Sequence, residues 1–68
     1  HEKIAAFLLE QKKKTISYTH EEIASLTGLN RVTVTKILND FCQFGWIELK
    51  YKKINILNRT ALKDYLDK

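Results

Sequence analysis

The sequence predicts a small α+β domain that is mainly α-helical. Three observations predict it: apolar residues at helical spacing in most of the chain, a glycine where two such stretches must turn, and two short alternating segments near the C-terminal end. The chain has 68 residues, 44% of them hydrophobic, near the lower size at which one core folds without metal or disulfide support. We therefore expect residues 1–68 to form a single domain. Because the chain begins at His1 and contains no methionine, we also expect it to be a piece of a longer polypeptide.

The first predicted element is an amphipathic helix over residues 1–13. Its inner face is indicated by residues three and four positions apart, namely Ile4, Phe7, Leu8 and Gln11. The basic run at 12–14 is interpreted as a solvated helix end whose cations complement the helix dipole. The β-rich segment at 15–18 then predicts a short strand that leads into the next helix.

Residues 20–39 have the pattern of two helices that cross over a tight turn, a helix-turn-helix. Thr19 begins the unit as an N-cap, and Glu22 completes a capping box in which each side chain accepts from the other's backbone N–H. Gly28 is predicted in the turn, because glycine adopts positive φ without steric penalty. Asn30 is predicted to cap the second helix.

The two helices are predicted over residues 20–27 and 31–44, with Gly45 directly after the second. They are expected to pack through small and branched residues, namely Ile23, Ala24, Leu29, Val34 and Ile37. The buried stripe of the second helix continues through Leu38 and Phe41. Five residues of this helix then face away from the core: Val32, Thr35, Lys36, Asn39 and Gln43.

Two alternating segments at 46–50 and 54–57 predict a β-hairpin with a basic tip at Tyr51-Lys52-Lys53. Asn58 is predicted to cap a last short helix that contains Ala61, Leu62, Tyr65 and Leu66. Together these elements make a winged helix: a three-helix core with a helix-turn-helix, a small hairpin wing and a short C-terminal helix.

The charge and the order of elements favour a nucleic-acid partner. The net charge is +4 and the pI about 9.3, which suits a polyanion. A hairpin beside the second helix of a helix-turn-helix, with lysines at its tip, can approach the phosphate backbone while the helix enters the major groove. The alternative is a winged helix that docks a protein, with Trp46, Phe7 and Tyr65 as anchors if they are exposed. We expect these three in the core.

Other classes of function find little support. No residues have the spacing of a nucleophile and its base, of a phosphate-binding loop or of metal ligands, so neither an enzyme nor a cofactor is predicted. No apolar run approaches a membrane span and no signal peptide opens the chain, so we expect a soluble cytoplasmic protein without membrane contact. The single Cys42 is predicted to be a buried, inert thiol.

Three segments together resemble one family closely. They are THEEIASLTGLNRVTVTKIL from Thr19, FGWI from Phe44 and KINIL from Lys53, and they resemble the C-terminal domain of the Crp/Fnr superfamily of bacterial transcription regulators. The resemblance implies a homodimeric regulator with an N-terminal effector-binding β-roll and a long dimerisation helix, both outside this sequence. It also implies a (pseudo)palindromic DNA site with one recognition helix, residues 31–44, in each half-site, and it allows RNA polymerase as a second partner.

The resemblance assigns roles by position. Arg31, Val32 and Lys36 match the family's principal base-facing positions. Four further residues match positions that usually meet phosphates: Thr19, His20, Asn30 and Thr33. From the hairpin itself, Lys52 and Lys53 are predicted to lie near the phosphate backbone.

Val32 departs from the family pattern, in which a glutamate is common and can accept a hydrogen bond from cytosine N4. Valine is instead suited to a thymine methyl group. We therefore expect an A/T-richer half-site, with Val32 and also Thr35 touching thymines. In the alternative, Val32 packs internally near Ile16 or the wing.

Overall fold

The computed structural model describes residues 1–67. In that part of the chain, four helices and one three-stranded antiparallel sheet follow in the order α1 Glu2–Glu10, β1 Thr15–Ile16, α2 His20–Thr27, α3 Arg31–Gln43, β2 Ile47–Lys50, β3 Lys53–Ile56 and α4 Arg59–Leu66. This architecture confirms the predicted winged helix. The short α4 follows the hairpin and packs against α1.

One apolar core joins all four helices to the sheet. The fully buried side chains of α3 are the predicted stripe of Val34, Ile37, Leu38 and Phe41, and α1 contributes Ile4, Ala5 and Leu8. The aromatic side chains of Phe7, Trp46 and Tyr65, expected in the core, are half-buried and pack against it. Cys42 is likewise half-buried, so the prediction of a buried thiol was wrong in degree.

The helix caps form as the sequence predicts. The Thr19 hydroxyl accepts from the Glu22 backbone N–H at 3.1 Å, and the Glu22 carboxylate accepts from the Thr19 N–H at 2.9 Å. Gly28 has φ of +75°, and the Asn30 side chain accepts from the Thr33 N–H at 2.7 Å. Each of these three features satisfies backbone groups that a helix end leaves free, and Gly28 and Asn30 together form the turn between α2 and α3.

The first helix is shorter than predicted, ending at Glu10 instead of about Lys13. The Arg59 guanidinium donates to the backbone carbonyls of Leu9 and Gln11 and, at 3.5 Å, to that of Lys13. In a longer helix, these carbonyls would instead accept from backbone N–H groups four residues further along the chain. The predicted bound of α1 is therefore too long by about three residues, whereas the lysines at 12–14, interpreted as a solvated helix end, lie exposed just beyond its C-cap Gln11.

The strands also differ in detail from the prediction. The first is Thr15–Ile16 and not 15–18, and it pairs with β3, which lies between β1 and β2. The turn of the hairpin is Tyr51-Lys52, and Lys53 already belongs to β3, opposite Lys50. The side chain of Asn55 accepts from the Thr15 hydroxyl at 2.8 Å and donates to the Glu48 carboxylate at 3.0 Å. This chain of hydrogen bonds crosses all three strands and supports the wing.

Candidate nucleic-acid interface

The start of α3 presents an exposed surface opposite its buried stripe. Arg31, Val32 and Lys36 are all exposed. Val32 is 80% exposed, so the alternative in which it packs against Ile16 or the wing is wrong. An exposed arginine, an exposed branched apolar side chain and an exposed lysine within two helical turns offer both hydrogen-bond donors and a methyl surface.

A concave surface lies between the first turn of α2, the first residue of α3 and the hairpin tip. Five of the predicted site residues line it together: Thr19, His20, Arg31, Lys52 and Lys53. They come from three elements that are far apart in the sequence. The fold therefore gathers a helix N-terminus and three of the predicted cationic side chains around one depression, an arrangement that attracts anions.

The same depression contains residues that the sequence analysis did not assign to the site. Tyr18, Glu21, Lys50 and Tyr51 also line it. Tyr51 is 86% exposed at the hairpin tip, and the Lys52 ammonium lies 5.4 Å from the centre of its ring. The sequence did contain a signal for Tyr51. An aromatic residue beside lysines in a predicted turn lies too far from the core to be buried there, so it is a candidate for a binding surface.

The remaining predicted residues lie outside this depression. Asn30 uses its side chain as the cap of α3. Thr33 is half-buried and lines another surface with Leu29 and Ile37, so the structure does not group it with the wing. Thr35 is half-buried, and its hydroxyl lies 3.0 Å from Nδ1 of His20.

His20 is a titratable residue among those that line this depression. Partial burial, and secondarily the positive charge of Arg31, lower the pKa of His20 below its ordinary value. The imidazole is therefore mainly neutral near pH 7, with one nitrogen as donor and the other as acceptor. Hydrogen bonds from the backbone N–H and the hydroxyl of Thr19 lower the pKa of Glu22, which keeps the capping carboxylate ionised.

Among residues 1–67, no three His, Cys, Asp or Glu side chains come together as metal ligands. None of the helices in the same part of the chain is long and apolar enough to cross a membrane.

The sequence from residue 2 to residue 65 matches the Crp-like helix-turn-helix domain. The chain belongs to this family. The Crp-like domain is also 36% identical over 55 residues to the transcriptional regulator SdrP of Thermus thermophilus, covering 81% of this chain and 27% of that protein. It is 50% identical over 48 residues to a CRP-like cAMP-activated global transcriptional regulator of Mycobacterium tuberculosis, covering 71% of this chain and 21% of that protein.

A solved structure shares the architecture of this Crp-like domain. It is a CRP/FNR-family transcriptional regulator of Thermus thermophilus, superposed with a TM-score of 0.79 at 28% identity. The match covers 98% of this chain and 39% of that regulator's chain, so the Crp-like domain spans well under half of the protein it resembles. The predicted membership of the Crp/Fnr family is thereby confirmed.

Proposed function

We propose that this domain binds double-stranded DNA with sequence preference, as the DNA-binding part of a bacterial transcription regulator. Helix α3 enters the major groove, and the hairpin tip at 50–53 lies near the phosphate backbone. The observation that carries the proposal is the exposed surface of Arg31, Val32 and Lys36 on a helix whose other face is fully buried. Family membership supports the same conclusion.

The phosphate contacts proposed here surround that surface. Thr19 and His20 lie at the N-terminus of α2, where backbone N–H groups and the helix dipole favour anions. Asn30 and Thr33 occupy the corresponding position on α3, and Lys52 and Lys53 contribute cations from the wing. Such contacts set the orientation of the protein on the duplex and make binding salt-dependent, without reading sequence.

The base contacts proposed here are Arg31, Val32, Thr35 and Lys36. Arg31 suits guanine N7 and O6, Lys36 acts less directionally, and the methyl groups of Val32 and Thr35 suit thymine. We infer an A/T-rich half-site, because Val32 replaces a side chain that would accept from cytosine.

A single experiment tests the role of Val32. Selection on randomised DNA with the Val32→Glu protein should move the preference at one base-pair position towards cytosine. Asn39→Glu is the matched control, because it adds the same charge on the exposed face of α3 further from its start. An unchanged preference in Val32→Glu would show that this side chain does not touch bases.

Docking itself is tested by NMR titration of the domain with a short A/T-rich duplex at low and moderate salt. Amide shifts centred on residues 19, 30–36 and 52 that fade as salt rises are expected. Absent or scattered shifts at low salt would instead favour a protein-docking module. One isolated domain should bind weakly, because pairing two half-sites is what raises affinity.

Our proposal for the whole regulator extends that for the domain. We propose a homodimer on a (pseudo)palindromic site, acting in the bacterial cytoplasm, with RNA polymerase as a further partner and the effector bound by another domain. Gel-shift titration of the full-length regulator on intact and half-site duplexes should show tighter binding to the intact site.

A further inference from the structure

A hydrogen bond between side chains joins the two helices of the helix-turn-helix at the proposed DNA surface. Nδ1 of His20, the first residue of α2, lies 3.0 Å from the hydroxyl of Thr35 in the second turn of α3. Within residues 1–67 it is the only side-chain hydrogen bond between these helices. Both partners are half-buried, so water competes with it less than at an open surface.

The chemistry of the pair restricts what the other ring nitrogen can do. A threonine hydroxyl can donate and accept, whereas Nδ1 of a neutral imidazole accepts when Nε2 carries the proton. If the hydroxyl donates to Nδ1, the proton of the neutral ring is on Nε2. If the ring is protonated, Nδ1–H donates to the same oxygen. In both states Nε2–H is left as a donor that faces no partner within the pair. The third arrangement, a neutral ring whose Nδ1–H donates to the hydroxyl, leaves Nε2 as an acceptor, which a phosphate oxygen disfavours.

The surroundings of His20 suit an anionic acceptor for that donor. The depression that it lines also contains Arg31 from α3 and Lys50, Lys52 and Lys53 from the hairpin, against a single carboxylate, Glu21. Burial and Arg31 keep the unbound ring neutral by lowering its pKa. An ordered neutral donor beside several cations is a suitable partner for a phosphate oxygen.

We propose that Thr35 is a positioning residue, whose hydroxyl holds the imidazole of His20 so that Nε2–H donates to a DNA phosphate. The inference rests on the proposed function, since it assigns a donor within the same interface. Thr35 then has two roles in the proposed interface: its methyl group contacts thymine, and its hydroxyl holds the ring of His20.

Substitution of Thr35 separates the two roles. Thr35→Val keeps the shape and adds a methyl group but removes the hydroxyl, and Thr35→Ser keeps the hydroxyl but removes the methyl. If Thr35 acts through His20, Thr35→Val should weaken binding to a short A/T-rich duplex about 3- to 10-fold, the worth of one hydrogen bond. Thr35→Ser should keep the contribution made through His20 and lose only what the methyl group adds at the proposed thymine contact. Unchanged or tighter binding by Thr35→Val would overturn the proposal in favour of methyl contact alone.

A double-mutant cycle shows through which residue Thr35 acts. In a His20→Ala background, the Thr35→Val substitution should cost nothing further, because the ring that it positions is gone. An equal loss in both backgrounds would overturn the proposal and make Thr35 a direct DNA contact. Urea unfolding of each variant reports whether the domain remains folded, so a loss of binding is not mistaken for a loss of structure.

Nitrogen-15 NMR of the imidazole ring supplies a direct readout. In the parent protein at neutral pH, Nε2 should carry the proton, and its signal should shift when the short A/T-rich duplex is added. In Thr35→Val the shift should shrink. Backbone shifts in α3 without any change at Nε2 would overturn this inference while leaving DNA binding intact. The absence of all duplex-induced shifts would instead refute the proposed function.

Discussion

The turn of the helix-turn-helix and the turn of the wing both pass through left-handed backbone, but they do so with different residues. Gly28 has φ of +75°, and Lys52 has φ of +55°. Glycine adopts this conformation without penalty, whereas a residue with a Cβ loses on the order of 1–2 kcal/mol. The turn of the helix-turn-helix is therefore free of backbone strain, whereas the turn of the wing is strained at Lys52.

This difference indicates what each turn contributes. A Cβ at Gly28 would meet no atom within 4 Å, so only its backbone conformation requires glycine there. Glycine at position 52 would adopt the same positive φ without strain, yet the residue there is a lysine. Strain of this kind persists where the residue has another use. A positive charge at the hairpin tip, beside Lys53 and Lys50, is the use that our proposed DNA contact provides.

The largest expected effect lies on the helix-turn-helix side. Arg31→Ala should reduce DNA affinity by about 1–3 kcal/mol, mainly at one base-pair position, because a bidentate contact with guanine is lost. Binding measured on a panel of duplexes with single base-pair changes would locate that position.

Lys63→Ala is the matched control for Arg31→Ala. It removes one exposed positive charge from α4, away from the depression, and should change affinity little. Equal weakening by Arg31→Ala on every duplex would make Arg31 a phosphate contact and leave base reading to its neighbours.

Gly28→Ala should have the next largest effect, a loss of about 1–2 kcal/mol in the free energy of unfolding. Gly28→Asn should cost less, because asparagine tolerates left-handed backbone better although it is larger. Urea unfolding of both variants measures the two values. If asparagine cost more than alanine, steric crowding would be the cause, and the comparison of the two turns would fail.

Lys52→Gly should give a smaller effect with opposite signs for folding and binding. Relief of the left-handed strain should stabilise the folded domain by up to about 1 kcal/mol. The greater conformational entropy that glycine gives the unfolded chain opposes part of this gain. The salt dependence of DNA binding should fall by about one counterion, because one phosphate contact is lost.

Lys52→Ala separates charge from strain, because alanine removes the ammonium group and keeps the Cβ. It should reduce the salt dependence as Lys52→Gly does, without the gain in stability. An unchanged salt dependence in both variants would make the wing a structural hairpin.

The parts of the fold that the sequence predicted are those fixed by near neighbours. The capping box at Thr19, the turn at Gly28 and the cap at Asn30 each involve residues at most a few positions apart, so spacing and side-chain chemistry were enough. The exposed face of α3 followed from helical periodicity for the same reason.

The parts that it did not predict depend on contacts between distant residues. Thr15 pairs with Asn55, and Arg59 donates to carbonyls at and just beyond the end of α1. The bond between His20 and Thr35 likewise joins positions 15 apart. No local pattern encodes such pairs. Five of the predicted site residues do line one depression, whereas the contacts that hold them there could not be read from the sequence.

The smallest expected effect is the pH dependence of stability from His20. Its pKa is lowered in the folded domain, first by burial and then by Arg31, so the unfolded chain binds a proton more tightly. Stability should then be full above about pH 6.5 and decline as the pH falls through that value. Glu22 and Glu48 also have lowered pKa values, but their contributions are lost only below about pH 4.5. Urea unfolding between about pH 5 and 7.5 follows this decline, and the difference between the parent and His20→Gln separates His20 from His1, whose ring contacts Asp40.

His20→Gln should remove the decline in stability between those pH values, since glutamine does not titrate. In the parent domain, the DNA affinity should change with pH in the opposite direction to the stability. A phosphate near the ring favours its charged form, so the complex takes up a proton and affinity should rise as the pH falls. One group would then weaken the free domain and strengthen the complex over the same pH range. If both quantities declined together, His20 would be titrating away from the phosphate, and the proposed phosphate contact at the N-terminus of α2 would rest on Thr19 alone.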